Sequence, residues 1–304
     1  MKFLNFEHAG LFKTGLLTPL DRIIDLKSVF QSLGQDPCLI LNDSDFIGNY
    51  YAIESLLNNI LEDKTGKIEA IPLTDVNIMA SVLNPSKIIC LGLNYKDHAA
   101  ETGKKLPKLP MLFSKAPTAI IGMDDEIIIP QVRTKMEKDP RPIRFLDYEV
   151  ELAIVIGRTC KRVSIEEASE SILGYSILND VSARMEQMAD KQFFRSKSFD
   201  TFAPIGPWIV TSDEIENPMN LKITCKVNGE VMQDSNTVNM NFNVFEIVSF
   251  ISDSITLLPG DIIGTGTPPG VGAARKPPKS LKAGDLIEMT IEKIGTLRNR
   301  VRED

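Results

Sequence analysis

The sequence predicts a β-rich α+β protein, and three observations support this class. Beyond Pro85, short segments rich in β-branched residues recur between turn residues. Helical periodicity is confined to a few segments, and strands and helices do not alternate regularly as they would in a parallel α/β sheet. The length of 304 residues is enough for about two domains.

The chain is expected to divide near Pro85, into a small domain of residues 1–84 and a larger one of residues 85–304. In the first part, only Ser55–Glu62 has clear helical spacing. In the second, the predicted strands are Lys87–Leu93, Ala119–Ile121, Glu126–Ile129, Glu149–Ile156, Trp208–Thr211, Leu221–Val227, Asp261–Ile263 and Leu286–Ile291. The predicted helices there are Ile165–Leu173, Val181–Asp190 and Phe245–Ser254.

Charge and composition exclude several classes of protein. A formal charge of −7 argues against a nucleic-acid binder, which needs a basic surface. The first residues lack the features of a signal peptide, and no apolar run reaches the about 18 residues of a membrane span. Cys38, Cys90, Cys160 and Cys225 form no CxxC pair, which indicates a reducing compartment and small buried side chains. We therefore expect a cytoplasmic protein without nucleic-acid or membrane partners.

The predicted strand Glu149–Ile156 is the most informative segment for chemistry. Side chains alternate along a strand, so Glu149 and Glu151 project to the same face. The apolar residues Ala153 and Val155 continue that face, which indicates burial. Two unpaired charges on a buried face would be costly, and a metal ion would compensate them. The alternative is a strand end whose acids emerge into water.

Asp180 offers a third carboxylate at the end of an apolar run, although an Asp before a helix is also an ordinary N-cap. Three carboxylates without a nearby His or Cys favour Mg²⁺ or Mn²⁺ over zinc. The chain has only two histidines, His8 and His98, which excludes a multi-histidine metal site within one chain.

His98 and Glu101 lie three residues apart in a segment that reads as a short helix ending near Gly103. Glu101 could orient the imidazole and stabilise its protonated form, which would make a general acid/base pair. The alternative is a surface helix with a hydrogen-bonded histidine.

Two loops carry more specific residues than a simple connection needs. Lys197–Trp208 combines a cation with a Pro/Gly turn, and Asp261–Gly272 is rich in Gly and Thr. The second loop superficially suggests dinucleotide binding, but no helical pattern follows it, so that function is rejected. Its N–H and hydroxyl groups could instead hold a carboxylate.

From about Lys87 to the C-terminus, the chain resembles the fumarylacetoacetate hydrolase superfamily, in particular the branch of fumarylacetoacetate hydrolase domain-containing and 2-hydroxyhepta-2,4-diene-1,7-dioate isomerase-like proteins. Residues 1–84 resemble only loosely the small leading domain of longer members. Eight motifs in order carry the resemblance: GLNYKDHAAETG, LPMLFSKAPTAIIG, DYEVELAIVIG, LNDVSAR, KSFDTFAPIGPWIV, VNGEVMQDSNT, LLPGDIIGTGTPPGVG and LKAGDLIEMTIEKIGTLRN.

The resemblance implies a mixed β-roll catalytic domain, a homodimer and a divalent cation at the mouth of the roll. By matching positions, it implies the metal ligands Glu149, Glu151 and Asp180. It also implies a lid-helix pair of His98 and Glu101, a lysine at the reacting centre, Lys197, and substrate-binding residues Arg184, Gln187 and Thr267.

The resemblance further implies an enzyme acting on a small 2-oxo acid. We expect a hydrolase or lyase that cleaves a C–C bond in an acylpyruvate or oxaloacetate through a metal-chelated enolate. The alternatives are a hydratase or isomerase of aromatic-acid or sugar-acid breakdown, and a non-catalytic relative. Two departures stand out: Ser196 replaces a glycine common before the lysine, and the basic segment Gln131–Leu146 is unusually long. That segment is either a lip that narrows the pocket or a solvated loop.

Overall fold

The chain forms two principal β-sheets flanked by short helices. The structure, a computed structural model, describes residues 1–40, 43–62, 68–132 and 141–304. The strands are β1 Lys2–His8, β2 Leu11–Leu17, β3 Arg22–Asp25, β4 Ile71–Pro72, β5 Asn77–Ile78, β6 Ile88–Gly92, β7 Met111–Lys115, β8 Ile120–Ile121, β9 Glu126–Ile129, β10 Gln131–Val132, β11 Arg141–Pro142, β12 Leu146–Asp147, β13 Val150–Ile156, β14 Ile172–Asn179, β15 Ser182–Ala183, β16 Ala203–Thr211, β17 Lys222–Val227, β18 Glu230–Asn236, β19 Ile262–Gly264, β20 Leu286–Ile291 and β21 Gly295–Glu303. The α-helices are α1 Leu26–Ser32, α2 Asp43–Leu61, α3 Lys96–Thr102, α4 Arg184–Asp190 and α5 Val244–Ser254.

The larger sheet brings distant parts of the chain side by side. Its order is β4-β3-β2-β1-β16-β14-β13-β19-β6-β7, with β5 beside β1 and β8 beside β16. The central strands β13 and β14 are buried along their whole length, as their nearly continuous apolar sequences require. Strand β19 pairs antiparallel with β13 and parallel with β6, so the sheet is mixed.

A second sheet of order β18-β17-β20-β21-β9 packs near the first, and its strands alternate buried and exposed residues. Helix α5 starts with a capping box, in which Asn243 accepts from the helix N-terminus and Glu246 accepts from the Asn243 N–H. Its apolar face, including Ile247 and Ile251, is buried in the main core.

The predicted β-rich α+β class is confirmed, and most predicted strands coincide with observed ones. The prediction of a helix over Ile165–Leu173 is wrong. Glu167–Ser171 is a 3₁₀ turn, and Ile172 already begins the central strand β14. The helix predicted from Val181 begins only at Arg184, because Ser182 and Ala183 pair with β12.

The predicted division at residue 84 stays a prediction. Strand β1 pairs with β16 at Lys2 and Phe3, so the sheet runs continuously from the leading residues into the rest of the chain. Of the long segment Gln131–Leu146, the ends pair as β10 and β11, and residues 133–140 lie outside the described residues.

Among the described residues, no helix combines the length and apolar character needed to cross a bilayer. All four cysteines are free thiols, and three of them are buried, as predicted from their spacing. The exception is Cys38, which is exposed.

Candidate active site

Three predicted carboxylates converge where β13 begins and β14 ends. The antiparallel register places Val150 opposite Asn179 and Glu151 opposite Leu178, so both strands deliver their acids to one edge. The Asp180 N–H donates to the Glu149 carbonyl over 2.9 Å. Asp180 is not a helix N-cap, because α4 begins at Arg184 with Ala183 as its cap. Glu149, Glu151 and Asp180 are all buried.

Two buried lysines neutralise part of this charge. The Lys197 ammonium donates to Glu149 Oε2 over 2.9 Å and also to Asp180 Oδ2. The Lys115 ammonium donates to Asp180 Oδ1 over 2.6 Å and to the Val181 carbonyl over 3.3 Å. Burial alone would lower the pKa of Lys197, but Asp180 and Glu149 raise it above the ordinary value, so the group stays charged.

Arg184 fixes Glu149 from the other side. Its Nη2 lies 2.5 Å from Glu149 Oε1, and its Nε donates to Asp147 Oδ2 over 2.8 Å. Asp147 also accepts the backbone N–H groups of Gly272 and Ala273, at 2.7 and 3.1 Å. Although burial opposes ionisation, Lys197 and Arg184 hold the pKa of Glu149 well below its usual range. Glu149 is therefore an ionised carboxylate.

Among the described residues, Glu151 has no lysine or arginine at hydrogen-bond distance, and only a backbone hydrogen bond from Gly266 and the more distant charge of Lys197 compensate it. Within the described residues, its buried Oε2 atom has no hydrogen-bond partner. Burial, together with the neighbouring Asp180 and Glu149, raises the pKa of Glu151 well above its ordinary value. An orphaned oxygen beside a second carboxylate is an arrangement that a cation would stabilise.

The donor set fits a divalent cation. One ligand atom each from Cys90, Glu151 and Asp180 lie within 4.8 Å of one another. Glu149 is not part of that group, and its two oxygens accept from Arg184 and Lys197. The carboxylates suit a hard ion such as Mg²⁺ or Mn²⁺, and the Cys90 thiol adds a softer donor that sequence reasoning missed.

Thr267 lies in a buried hydrogen-bond network rather than in an open loop. Its hydroxyl donates to the Val150 carbonyl over 3.0 Å and accepts from Gln233 Nε2 over 2.8 Å. Gln233 Oε1 accepts the Val150 N–H over 3.0 Å. The Gln233 side chain thus joins the glycine-rich loop to the start of β13, next to the two glutamates.

The predicted pair on the short helix is formed. Helix α3 ends at Gly103, whose φ of 65° is the left-handed conformation that favours glycine. His98 Nδ1 lies 3.0 Å from Glu101 Oε2, and Glu101 Oε1 accepts the Gly270 N–H over 3.0 Å. The pair is therefore anchored to the glycine-rich loop, which argues against a free surface helix.

A cavity of about 320 Å³ collects most of the predicted side chains. His98, Glu149, Arg184, Gln187, Lys197 and Thr267 line it, together with apolar residues. Glu151 and Asp180 do not line this cavity and are fully buried, and Glu101 reaches it through its contact with His98. An adjoining cavity of about 410 Å³ shares His98, Glu149, Arg184 and Gln187. These two volumes lie near the lower end of the usual range for ligand pockets, so the space suits a small molecule.

Gly264 provides a test of the carboxylate site that leaves its ligands unchanged. A Cβ at this position would lie 2.4 Å from Glu151 Oε2 and 3.1 Å from Cys90 Sγ. We expect Gly264→Ala to displace Glu151 and to weaken Mn²⁺ binding by about 10- to 100-fold, as measured by isothermal titration calorimetry.

The matched control is Gly48→Ala, because Gly48 lies in α2 and a Cβ there would meet nothing within 4 Å. That variant should bind Mn²⁺ as the wild type does, with slightly higher thermal stability. Unchanged Mn²⁺ affinity in a folded Gly264→Ala protein would show that the ion binds away from Glu151.

The mixed sheets and the buried carboxylates beside a small cavity define a β-rich enzyme-like scaffold with a candidate metal centre. Residues 87–302 match the family model described as fumarylacetoacetate (FAA) hydrolase C-terminal. The chain belongs to the fumarylacetoacetate hydrolase family, which confirms the predicted family and fold; the family is enzymatic.

Several relatives cover most of the chain. Oxaloacetate tautomerase FAHD2A, mitochondrial, from Bos taurus is 43% identical over 82% of this chain and 76% of its own length. The fumarylacetoacetate hydrolase from psychrophilic Exiguobacterium antarcticum is 35% identical with a TM-score of 0.81, and both chains are covered completely. A maleylpyruvate hydrolase from Sphingobium sp. SYK-6, in complex with manganese(II) ion and pyruvate, is 29% identical with a TM-score of 0.80 over 100% of this chain and 99% of that one.

Proposed function

We propose that this protein is a divalent-metal-dependent enzyme that enolises a small 2-oxo acid, with oxaloacetate as the leading substrate. The observation that carries the proposal is the Glu151 oxygen next to Asp180, which has no hydrogen-bond partner among the described residues, beside a small cavity lined by Lys197 and Arg184. Relatives at 43% identity that are named oxaloacetate tautomerases support the choice of substrate.

Glu149, Glu151 and Asp180 are the proposed ligands of Mg²⁺ or Mn²⁺. The maleylpyruvate hydrolase complex with manganese(II) and pyruvate supports both the cation and the ligand class. When bound, the ion would act as a Lewis acid that stabilises negative charge developing on the 2-oxo oxygen.

The expected homodimer also stays a prediction, which sedimentation analysis would test.

The cationic and polar side chains in the cavity would orient the substrate and face its developing charge. Arg184 would hold a carboxylate of the substrate, and Thr267 would contribute its hydroxyl. Gln187 lies beside Arg184, with its Oε1 3.3 Å from Arg184 Nη1. Lys197 is charged and lines the cavity, so its ammonium would stabilise negative charge on the reacting acid. His98, oriented by Glu101, would move the proton at the carbon next to the 2-oxo group.

Hydrolytic C–C cleavage of an acylpyruvate is the second candidate, and the anchored His98–Glu101 pair favours it. The same imidazole could activate water for attack on the distal carbonyl, and the enol would then be the leaving group. Decarboxylation of oxaloacetate would form that enol by loss of CO₂. Hydratase, aromatic-acid isomerase and non-catalytic roles are less favoured, because five relatives at 39–44% identity are named oxaloacetate tautomerases.

The test is an NMR assay in D₂O with Mn²⁺ or Mg²⁺ and with EDTA, using oxaloacetate and acetylpyruvate separately. Metal-dependent exchange of the C3 protons of oxaloacetate, with the carbon skeleton intact, would support enolisation. Release of acetate and pyruvate from acetylpyruvate would support hydrolysis instead, and release of CO₂ from oxaloacetate would support the lyase. A protein that binds metal but changes neither substrate would overturn the proposal.

The two histidines of the chain provide a matched pair of variants. We expect His98→Gln to lower metal-dependent turnover of oxaloacetate by about 10²- to 10⁴-fold, because the proton acceptor is lost. His8→Gln, at the end of β1, should leave turnover unchanged. Both variants should bind Mn²⁺ like the wild type in calorimetry, and full turnover by His98→Gln would assign proton transfer to another group.

A further inference from the structure

Two further lysines line the same cavity as Lys197. Lys104 follows α3, and Lys191 follows α4, and both side chains are exposed to solvent. Lys197, in contrast, is buried. The cavity is therefore lined by the buried Lys197, the half-buried Arg184 and two solvent-exposed lysines.

Neither Lys104 nor Lys191 has an acidic partner for its ammonium in the part of the chain that the structure describes. The acid nearest in sequence to Lys191, Asp190, forms a bidentate pair with Arg195, at 2.7 Å for both contacts. The acid nearest to Lys104, Glu101, contacts His98 and the Gly270 N–H. Exposed lysines without partners are common, but two that line one cavity concentrate positive potential at its mouth.

Lys191 also adopts a backbone conformation that favours glycine. It caps α4 with a φ of 55°, in the left-handed region, where glycine would fit without the steric penalty of a Cβ. A left-handed residue is a common way for a helix to end, and it places Lys191 directly after α4, whose residues Arg184, Gln187 and Met188 line the cavity.

Part of the cavity wall is apolar. It consists of Leu91, Leu93, Met111, Phe113, Met188 and Phe193. These residues offer no side-chain hydrogen bonds, whereas the four cations of the lining, Lys104, Arg184, Lys191 and Lys197, can hold anions. The cavity is therefore complementary to a short molecule with more than one anionic group.

We infer that Lys104 and Lys191 form a subsite for a second, distal carboxylate, so that the cavity selects dicarboxylic 2-oxo acids over monocarboxylic ones. This inference rests on the proposed function, because the proximal carboxylate and 2-oxo group must occupy the inner end. The distal carboxylate of oxaloacetate has the required charge, and the methyl group of a simple acylpyruvate does not.

Binding of two acids with no proton on the carbon next to the 2-oxo group tests this subsite without enolisation by proton transfer, and NMR of the titrated sample checks that the dicarboxylate keeps both carboxylates. The pair is 2,2-dimethyl-3-oxosuccinate and 3,3-dimethyl-2-oxobutanoate, which differ by a carboxylate in place of a methyl group. Calorimetry on the Mg²⁺-loaded full chain should show tighter binding of the dicarboxylate. In the double variant Lys104→Gln/Lys191→Gln, the affinity for the dicarboxylate should fall about tenfold, which is the loss expected for two partly exposed charge pairs. The affinity of this variant for the monocarboxylate should equal that of the wild type.

Lys105→Gln is the control, because Lys105 is the exposed neighbour of Lys104 and does not line the cavity. The dicarboxylate preference should also fall with added salt. Equal affinity for the two acids in the wild type, or equal losses for both acids in the double variant, would overturn the subsite. Tight, lysine-dependent dicarboxylate binding without turnover of oxaloacetate would uphold the subsite and refute the proposed reaction.

Discussion

Glu151→Gln is expected to abolish Mn²⁺ binding in the micromolar range and to lower metal-dependent turnover at least about a hundredfold. The substitution keeps the size of the side chain but removes the charge of a buried ligand whose Oε2 has no protein partner. Because even the loss of groups that only support metal ligands weakens sites by 10- to 100-fold, loss of a ligand should cost at least as much. Calorimetry with Mn²⁺ and the NMR exchange assay measure the two effects.

Glu186→Gln is a matched control for this variant. Glu186 is also buried and also has a carboxylate oxygen without a partner among the described residues, but it lies on α4 outside the carboxylate cluster. Its variant should bind Mn²⁺ normally. If both variants lost the metal equally, the effect would reflect removal of buried charge in general, and the assignment of Glu151 would be wrong.

Lys197→Met should separate metal binding from turnover. Without metal, removal of the ammonium leaves Glu149 and Asp180 less compensated, which should destabilise the fold by about 3–5 kcal/mol. A bound divalent ion would restore that compensation, so Mn²⁺ should raise the melting temperature more in the variant than in the wild type. Turnover should nevertheless fall about 10²- to 10³-fold, because the cation facing the substrate is lost.

Lys115→Met is the control that removes a buried lysine charge next to Asp180 but outside the cavity. Lys115 is equally buried and pairs with the same Asp180, but it does not line the cavity. It should show a similar loss of stability with a smaller loss of turnover. Equal turnover in the two variants would contradict a direct role of Lys197 at the substrate.

The carboxylates of the candidate site could be predicted because their pattern is local. Glu149 directly precedes β13 and Glu151 is the second residue of that strand, and their burial follows from the apolar residues after them. Lys115 and Cys90 were missed because each meets Asp180 or Glu151 only through pairings between strands far apart in sequence. A single lysine or cysteine in an apolar run carries no sign of such a partner.

The same distinction applies to the fold. Segments with strong β-branched patterns, such as Glu126–Ile129 and Leu286–Ile291, were predicted with their observed bounds. The prediction of a helix over Ile165–Leu173 is wrong because the 3₁₀ turn and the first residues of β14 together have an apolar spacing that is typical of a helix. The packing of that strand between β13 and β16 overrides the local preference.

The parallel pairing of β6 with β19 has a consequence for how the protein is made. Cys90 lies opposite Gly264, so the walls of the carboxylate cluster come from residues separated by more than half of the chain. A nascent chain on the ribosome therefore lacks an intact ion-binding pocket until the strand at Ile262–Gly264 has emerged. Contacts this distant in sequence form slowly, so the complete pocket is assembled late in folding. Ion uptake should accordingly be among the last events of maturation, after synthesis of the polypeptide is nearly complete.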